Sequence, residues 1–459
     1  MSRPAQHSHP YRRPSDVVLR RSYIKALTGV VAAASVCALA ACSSTPSSST
    51  PAGGTATSTG GTAATASSAP ASPATGPTVD VWSAAPIGTV GASAPQRSSG
   101  VRAAFNYLND HGGLGTEHAK VTVKVCNTNL TPQGEIQCAQ QAASDPNAIA
   151  VIGAINVLAG PQVATVLQKA GLATVNPAVA DSSETTSPIS FPLAAENLAP
   201  TGCALMMPSA LKATKIGFAY TSTPATQGEI NTAIASAGKA GVTSVGTVSF
   251  PITSSDLSPF VEQLAQKNPQ AVTLVGSPQD VGQWLTAQAS LGKTAPTCTT
   301  DALVSNQALT GLGSAASNFY VAGFYPNPDS TAYPLLAQFR QQAEAEVAAG
   351  DASASLAPSN NASEVLAGWL GAQAVIQAAA NVTGTLTKAT LLTALNHTTV
   401  TFGTGSGAVL PPIDFAKPNP NPSYPRLFNT QMILKKWDPA TRQFVTVPGL
   451  TASSAQVAS

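Results

Sequence analysis

Short apolar runs alternate with amphipathic helical stretches from Thr78 to about residue 324, and this order limits what the chain can fold into more than any other feature. Runs at 79–84, 121–127, 148–154, 173–177, 215–221, 243–250, 271–276 and 319–324 have the length and composition of strands. Between them, 100–111, 133–144, 161–170, 227–240, 257–267 and 281–291 carry helical patterns, as in Val101, Ala104, Phe105 and Leu108. A strand that returns parallel to its predecessor needs a long crossover, so the order predicts parallel sheets with helices on both faces. Asn109-Asp110-His111-Gly112-Gly113 ends one helix and Ser258-Pro259 opens another. Two similar βα runs meet near 192–200, which predicts two α/β lobes whose binding edges lie at the strand carboxyl ends.

Beyond residue 324 the pattern changes. Long helical segments at 333–349 and 363–381 and a short one at 388–396 precede a turn-rich break at 403–407. Two β-like runs, 431–437 and 443–447, flank Asp438-Pro439-Ala440-Thr441, and 448–459 reads as a frayed end. Nothing repeats at roughly 20–50 residues, which excludes a solenoid.

The formal net charge of +2 conceals an asymmetry. Six basic residues lie in the first 25 positions, against Asp16 alone; from Cys42 onward 17 basic and 20 acidic residues leave −3. A nucleic-acid partner held by Lys and Arg does not fit that balance. The basic start runs into sixteen uncharged residues, 26–41. As a helix these cover about 24 Å, short of a hydrocarbon core of about 30 Å, so 1–41 reads as an export signal. Leu39-Ala40-Ala41-Cys42 resembles a bacterial lipobox, which makes Cys42 the lipidated N-terminus; an ordinary cut near Ala41 is the alternative. Arg20-Arg21-Ser22-Tyr23-Ile24-Lys25 resembles a twin-arginine export motif, and the general secretory route stays open beside it. Residues 43–77 are entirely Ser, Thr, Ala, Gly and Pro, so 42–77 reads as a flexible tether with a reach of about 30–35 Å.

Cys126, Cys138, Cys203 and Cys298 remain in an oxidising setting and allow three pairings. Cys126 ends a strand and Cys138 lies on the helix that follows, which favours Cys126 with Cys138 and leaves Cys203 with Cys298. No CxxC is present, and past the leader only His111, His118 and His397 are available, so no metal is expected. No cofactor is expected either. Gly292-Lys293-Thr294 lacks the first glycine of a phosphate-binding loop, and Ser209-Ala210-Leu211-Lys212 lacks the companion motifs of penicillin-interacting enzymes. With no GxSxG or HExxH, the sequence offers no catalytic residues. Trp284, Trp369 and Trp437 read as core, with stacking on a ligand as the alternative.

Four segments carry a family resemblance: GVRAAFNYLNDHGG at 100–113, AVIGA at 150–154, VNPA at 175–178 and PRLFN at 425–429. In this order they resemble the branched-chain amino-acid (Leu/Ile/Val) group of type I periplasmic solute-binding proteins of ABC importers. The resemblance implies two Rossmann-like lobes joined by three crossovers and a hinge, in the manner of a Venus flytrap. Lobe one would take 78–199 and 328–403, and lobe two 200–327 and 404–447. A ligand between the lobes would favour the closed form, which a permease recognises.

By register, the resemblance places Asn156 and Val157 in one capture loop and Ala178, Ala180 and Asp181 in the next. Amino-acid binders have hydroxyls where this chain has Val157 and Ala180, so the usual carboxylate clamp is weakened. Asp301 falls where such proteins receive the ligand ammonium; a capping aspartate is the alternative. Gln227 and Ser277 stand where the family often has aromatic walls, and Phe324 could supply an aromatic edge. The expected protein is a lipid-anchored, extracytoplasmic binder of a small amino-acid or amide-like solute, with ABC permease and ATPase subunits as partners. A tethered sensor of the same fold is the alternative, and a hydrolase is a more distant one.

Overall fold

The central runs 148–152 and 271–275 of the two main sheets are buried throughout, as parallel strands covered by helices on both sides require. The computed structural model describes residues 72–89, 93–180, 182–304 and 306–453. The leader, Cys42, 43–71 and Asp181 lie outside these.

The first lobe contains β1 (Thr78–Ala85), α1 (Gln96–Asp110), β2 (Lys120–Asn127), α2 (Pro132–Ser144), β3 (Ala148–Ile152), α3 (Gly160–Ala170), β4 (Ala173–Val175), α4 (Ser183–Thr186) and β5 (Ser190–Phe191). The chain then enters the second lobe through α5 (Ala199–Leu211), β6 (Lys215–Thr221), α6 (Pro224–Lys239), β7 (Thr243–Phe250), α7 (Ser258–Ala265), β8 (Ala271–Val275), α8 (Pro278–Ser290), β9 (Thr297–Thr300), α9 (Asn306–Leu312) and β10 (Phe319–Gly323). It returns through α10 (Leu335–Ala348), α11 (Ala362–Ala379), α12 (Lys388–Leu395) and the hairpin of β11 (Thr399–Phe402) and β12 (Leu410–Asp414). It ends in the second lobe with β13 (Gln431–Asp438) and β14 (Gln443–Ser453).

Lobe one has the strand order β2-β1-β3-β4-β5, all parallel. Lobe two repeats that order as β7-β6-β8-β9-β10 and extends it with antiparallel β13 and β14. Each sheet therefore changes winding direction between its first and third parallel strands, where a crevice opens at the carboxyl ends. Local chemistry fixes the ends of the helices. The Thr131 hydroxyl caps α2 by accepting from Gly134 N, Ser277 and Asp280 form a capping box on α8, and Gly171 in the left-handed region (φ 64°) stops α3. Helices α1 and α11 pack backbone to backbone, because a Cβ on Gly100 or Gly368 would lie 1.9 Å from Val365 O or Arg97 O.

Two disulfides are present, Cys126–Cys138 and Cys203–Cys298. The second fastens α5 to β9. Trp284, Trp369 and Trp437 are buried in the core.

The structure differs from the sequence expectation in three places. Residues 72–77, expected in the flexible tether, are tied to lobe one: Ser72 N donates to Asp110 O, Ala74 N to Asn109 O and Gly76 N to His118 O. Backbone pairing needs no large side chain, so a Ser/Ala/Gly/Pro composition did not exclude it. The glycine-rich stretch 403–407 is the turn of the β11–β12 hairpin and not a crossover. Arg426 N then donates to Thr185 O, and Asn429 Nδ2 to Leu193 O, so the third crossover comes at 429–431. The expected frayed end is in part a strand, with Thr451, Ala452 and Ser453 paired to Ile433, Met432 and Gln431.

Candidate functional site

The first capture loop follows β3 at lobe one's change of winding. Gly153, with φ 65°, turns the chain out of the strand, and Ile155 forms an isolated parallel bridge with Ala178, whose N donates to Ala154 O at 2.8 Å. That bridge brings 155–157 beside 178–180. Asn156 is buried, Ala178 and Ala180 are half-buried, and Val157 is 43% exposed. The backbone amides here have a partner that no local spacing indicates. Buried Glu135 of α2 accepts from Val157 N at 3.0 Å, Leu158 N at 3.2 Å and Ala159 N at 2.6 Å. A carboxylate at the entry of α3 complements the helix dipole and satisfies its first donors.

Lobe two presents its own edge. Gln227 is exposed on α6, and Ser277 exchanges hydrogen bonds with Asp280 at the head of α8, so the Ser277 hydroxyl is committed to its helix. Asp301 follows β9 and is buried, and its Oδ2 accepts from Lys435 Nζ at 2.9 Å. The carboxylate lies against Gly323, where a Cβ would come within 2.2 Å of Oδ2. Lys435 Nζ also donates to Tyr325 O at 3.2 Å. Lys435 shares a strand face with Ile433 and Trp437. A lysine on such an apolar face was the one sequence signal for a buried partner, though it did not say which acid.

Beside the second crossover, Tyr325 Oη is hydrogen-bonded to the side chain of Asn176. Arg97 of α1, 1% exposed, donates from Nε to Glu364 at 2.7 Å and from Nη2 to Glu196 at 2.7 Å. Burial opposes its charge, but Glu364 and Glu196 outweigh this and hold its pKa above the usual value. Burial, followed by the charge of Glu196, raises the Tyr325 phenol. Glu229 on α6 is half-buried, and desolvation pushes its carboxyl up to about 8.

The lobes touch directly at the mouth. Gln307 N of lobe two donates to Pro358 O of lobe one at 2.8 Å, and Asn361 Nδ2 donates to Ala302 O at 2.9 Å. The small gap behind them, about 40 Å³, is lined from both lobes by Asp301, Asn306, Lys435, Asn361 and Ser363. Phe324 is buried beside a second cavity. It lines a hinge-side cavity of about 620 Å³ with Tyr333, Gln431 and the turn of the β11–β12 hairpin. Gly292-Lys293-Thr294 follows the end of α8 instead of preceding a helix, so it has no phosphate-loop geometry.

A family model described as "Periplasmic binding protein" matches residues 86–423. The chain belongs to the periplasmic binding protein family. As a member it has the type I two-lobed α/β fold, and its family is one of extracytoplasmic solute-binding proteins associated with ABC transporters. Solved structures of similar fold include a fatty acid ABC transporter substrate-binding protein from Thermomonospora curvata, with 16% identity, TM-score 0.66 and coverage of 84% of this chain and 95% of that one. A leucine binding protein from Thermotoga maritima aligns with 14% identity, TM-score 0.65 and 82% and 99% coverage. A solute binding protein from R. palustris in complex with 4-hydroxybenzoate gives 15%, 0.64, and 82% and 97%. At such identities the likeness is one of fold. No curated protein matches the sequence. Among the described residues of this periplasmic binding protein, no helix is long and apolar enough to cross a membrane, and no cluster of His, Cys, Asp or Glu could hold a metal.

Proposed function

We propose that this periplasmic binding protein captures a small polar solute between its lobes and delivers it to the permease and ATPase of an ABC importer. A lipid on Cys42 would hold it at the extracytoplasmic face of the membrane. The observation that carries this reading is the presence of two sheets that share a five-strand parallel order, with the segment after β9 of lobe two meeting the α10–α11 connection of lobe one at Asn361–Ala302 and Gln307–Pro358. A solute contacted from both sides adds binding energy only to the closed arrangement and so shifts the population towards it. That differential contact is all the mechanism needs, and no bond is made or broken.

A thermal-shift screen of amino acids, amides, ureas and small aromatic acids tests the reading, because a solute bound only by the native state adds RT ln(1 + [L]/Kd) of stability. Compounds that raise Tm should also reduce the radius of gyration in solution scattering. A screen with no stabilising solute would sink the proposal. For the anchor, incorporation of labelled palmitate should be lost in Cys42→Ala, and its persistence would rule out lipid at that thiol.

A further inference from the structure

The carboxylate of Asp301 would be the natural partner of a solute's ammonium on lobe two, but the fold has already supplied one. Lys435 Nζ lies 2.9 Å from Oδ2. The side chains of Lys435 and Asp301 are 3% and 8% exposed. The arrangement is built from three directions. Gly323 leaves out the Cβ that would collide with the carboxylate, β13 carries Lys435 alongside β10, and the carbonyl of Tyr325 takes a second N–H of the lysine. On lobe one the same exchange has occurred with the opposite sign. The amides of Val157, Leu158 and Ala159, at the entry of α3, are donors aimed at an anion, and they hold the carboxylate of Glu135.

Resting on the reading of the cleft as the solute site, we propose that Lys435 and Glu135 stand in for the ammonium and the carboxylate of an amino acid, so that the solute is an uncharged, amide- or urea-like molecule. An incoming ammonium would have to displace Lys435 and leave that lysine buried without its acid, and an incoming carboxylate would meet Glu135 across the same amides. Both substitutions strand a desolvated charge. Beside the Asp301–Lys435 pair lie the neutral donors and acceptors Asn306, Asn327, Asn361 and Ser363, which suit a solute that hydrogen-bonds without charge; the one further carboxylate of this lining, Asp329, feels the charge of Arg340 on α10. Lys435 is thus a specificity-determining residue, and it acts by exclusion as much as by contact.

The test is chemical rescue in the full exported chain. Lys435→Ala opens a hole shaped for a small ammonium next to Asp301. Ethylammonium chloride at tens of millimolar should raise the Tm of this variant by several degrees, 1-propanol should not, and neither should shift the wild type. L-leucine and ethylammonium should leave the wild-type Tm unchanged. If L-leucine or ethylammonium stabilises the wild type and the response disappears in Asp301→Asn, Asp301 receives the solute amine; this inference is then overturned while the cleft reading stands. Should Lys435→Ala not fold, the wild-type response to the amine series decides alone: silence supports the proposal and stabilisation refutes it. A wild type that responds to no amide, lactam or urea, and does not contract in scattering, counts against the cleft reading itself; ethylammonium rescue would still report separately on the Lys435 substitution.

Discussion

Arg97 Nη2 lies 2.7 Å from Glu196 Oε1, joining the first turn of α1 to the segment by which the chain first leaves lobe one. The same guanidinium holds Glu364 of α11. Removing the cation would leave two carboxylates facing one another out of water. Arg97→Met is therefore expected to lower stability by about 3–5 kcal/mol, read as a reduced urea midpoint with an unchanged slope. A loss below about 1 kcal/mol would show that the network is solvated.

The contact across the mouth gives a second expectation. Asn361→Ala removes one of the two hydrogen bonds described across the mouth, about 1 kcal/mol, and should reduce the closed-to-open ratio roughly fivefold. Solution scattering would read this as a larger radius of gyration in the variant than in the wild type. Equal radii would mean that the bond contributes nothing to closure.

The two disulfides close loops of very different length, with separations of 12 and 95 residues. In the chain-entropy account the short loop is worth about 3 kcal/mol and the long one about 4.7 kcal/mol. The Cys203→Ser/Cys298→Ser variant should thus lose more Tm than Cys126→Ser/Cys138→Ser. The reverse order would locate the stabilisation in contacts around the sulfurs and not in the unfolded chain.

Glu229 predicts a pH dependence. Its folded pKa, about 8 through desolvation, lies above the ordinary 4.5, so between those values the folded state keeps a proton that the unfolded state releases. Stability from this group is complete below about pH 4.5 and is lost as pH rises through about 8. Glu229→Gln, which keeps the shape and cannot ionise, should match the wild-type Tm at pH 4.5 and exceed it by a growing margin to pH 9. Part of the side chain still meets water, so the margin is smaller than full burial would give. A margin that does not change with pH would mean that the carboxyl ionises as freely as in the unfolded chain.

Periodicity made most of the framework legible. β6 and β7 fall at 215–221 and 243–250, as the apolar runs indicate, and α1, α2 and α3 begin within a few residues of their expected starts. Helix α5 escaped notice because it is buried on nearly every side, carries Pro208 inside it, and so shows no polar stripe. β9, Thr-Cys-Thr-Thr, has no apolar pattern to detect. The site was legible as loops but not as chemistry. Register located 155–157, 178–180 and Asp301 at the strand ends, yet Asp301 and Lys435 are 134 residues apart, and Glu135 reaches the Val157 amide from 22 residues away. Such pairings depend on tertiary geometry that no local spacing encodes. Phe324 was read as a possible aromatic edge from its place near a lobe crossover; it lines the cavity beside Tyr333 and Gln431.

The pairing of Ser72, Ala74 and Gly76 with lobe one also decides which part of the molecule moves. The chain towards the N-terminus leaves from lobe one, so under the proposed anchoring at Cys42 a pull from that direction would be taken up there, with lobe one as the stator. Lobe two, with α5 clamped to β9 through Cys203–Cys298, would then be the part that swings, as a single lever about the crossovers. A permease that docks on such a protein would meet one face held at a fixed height and another whose position reports whether the solute is aboard.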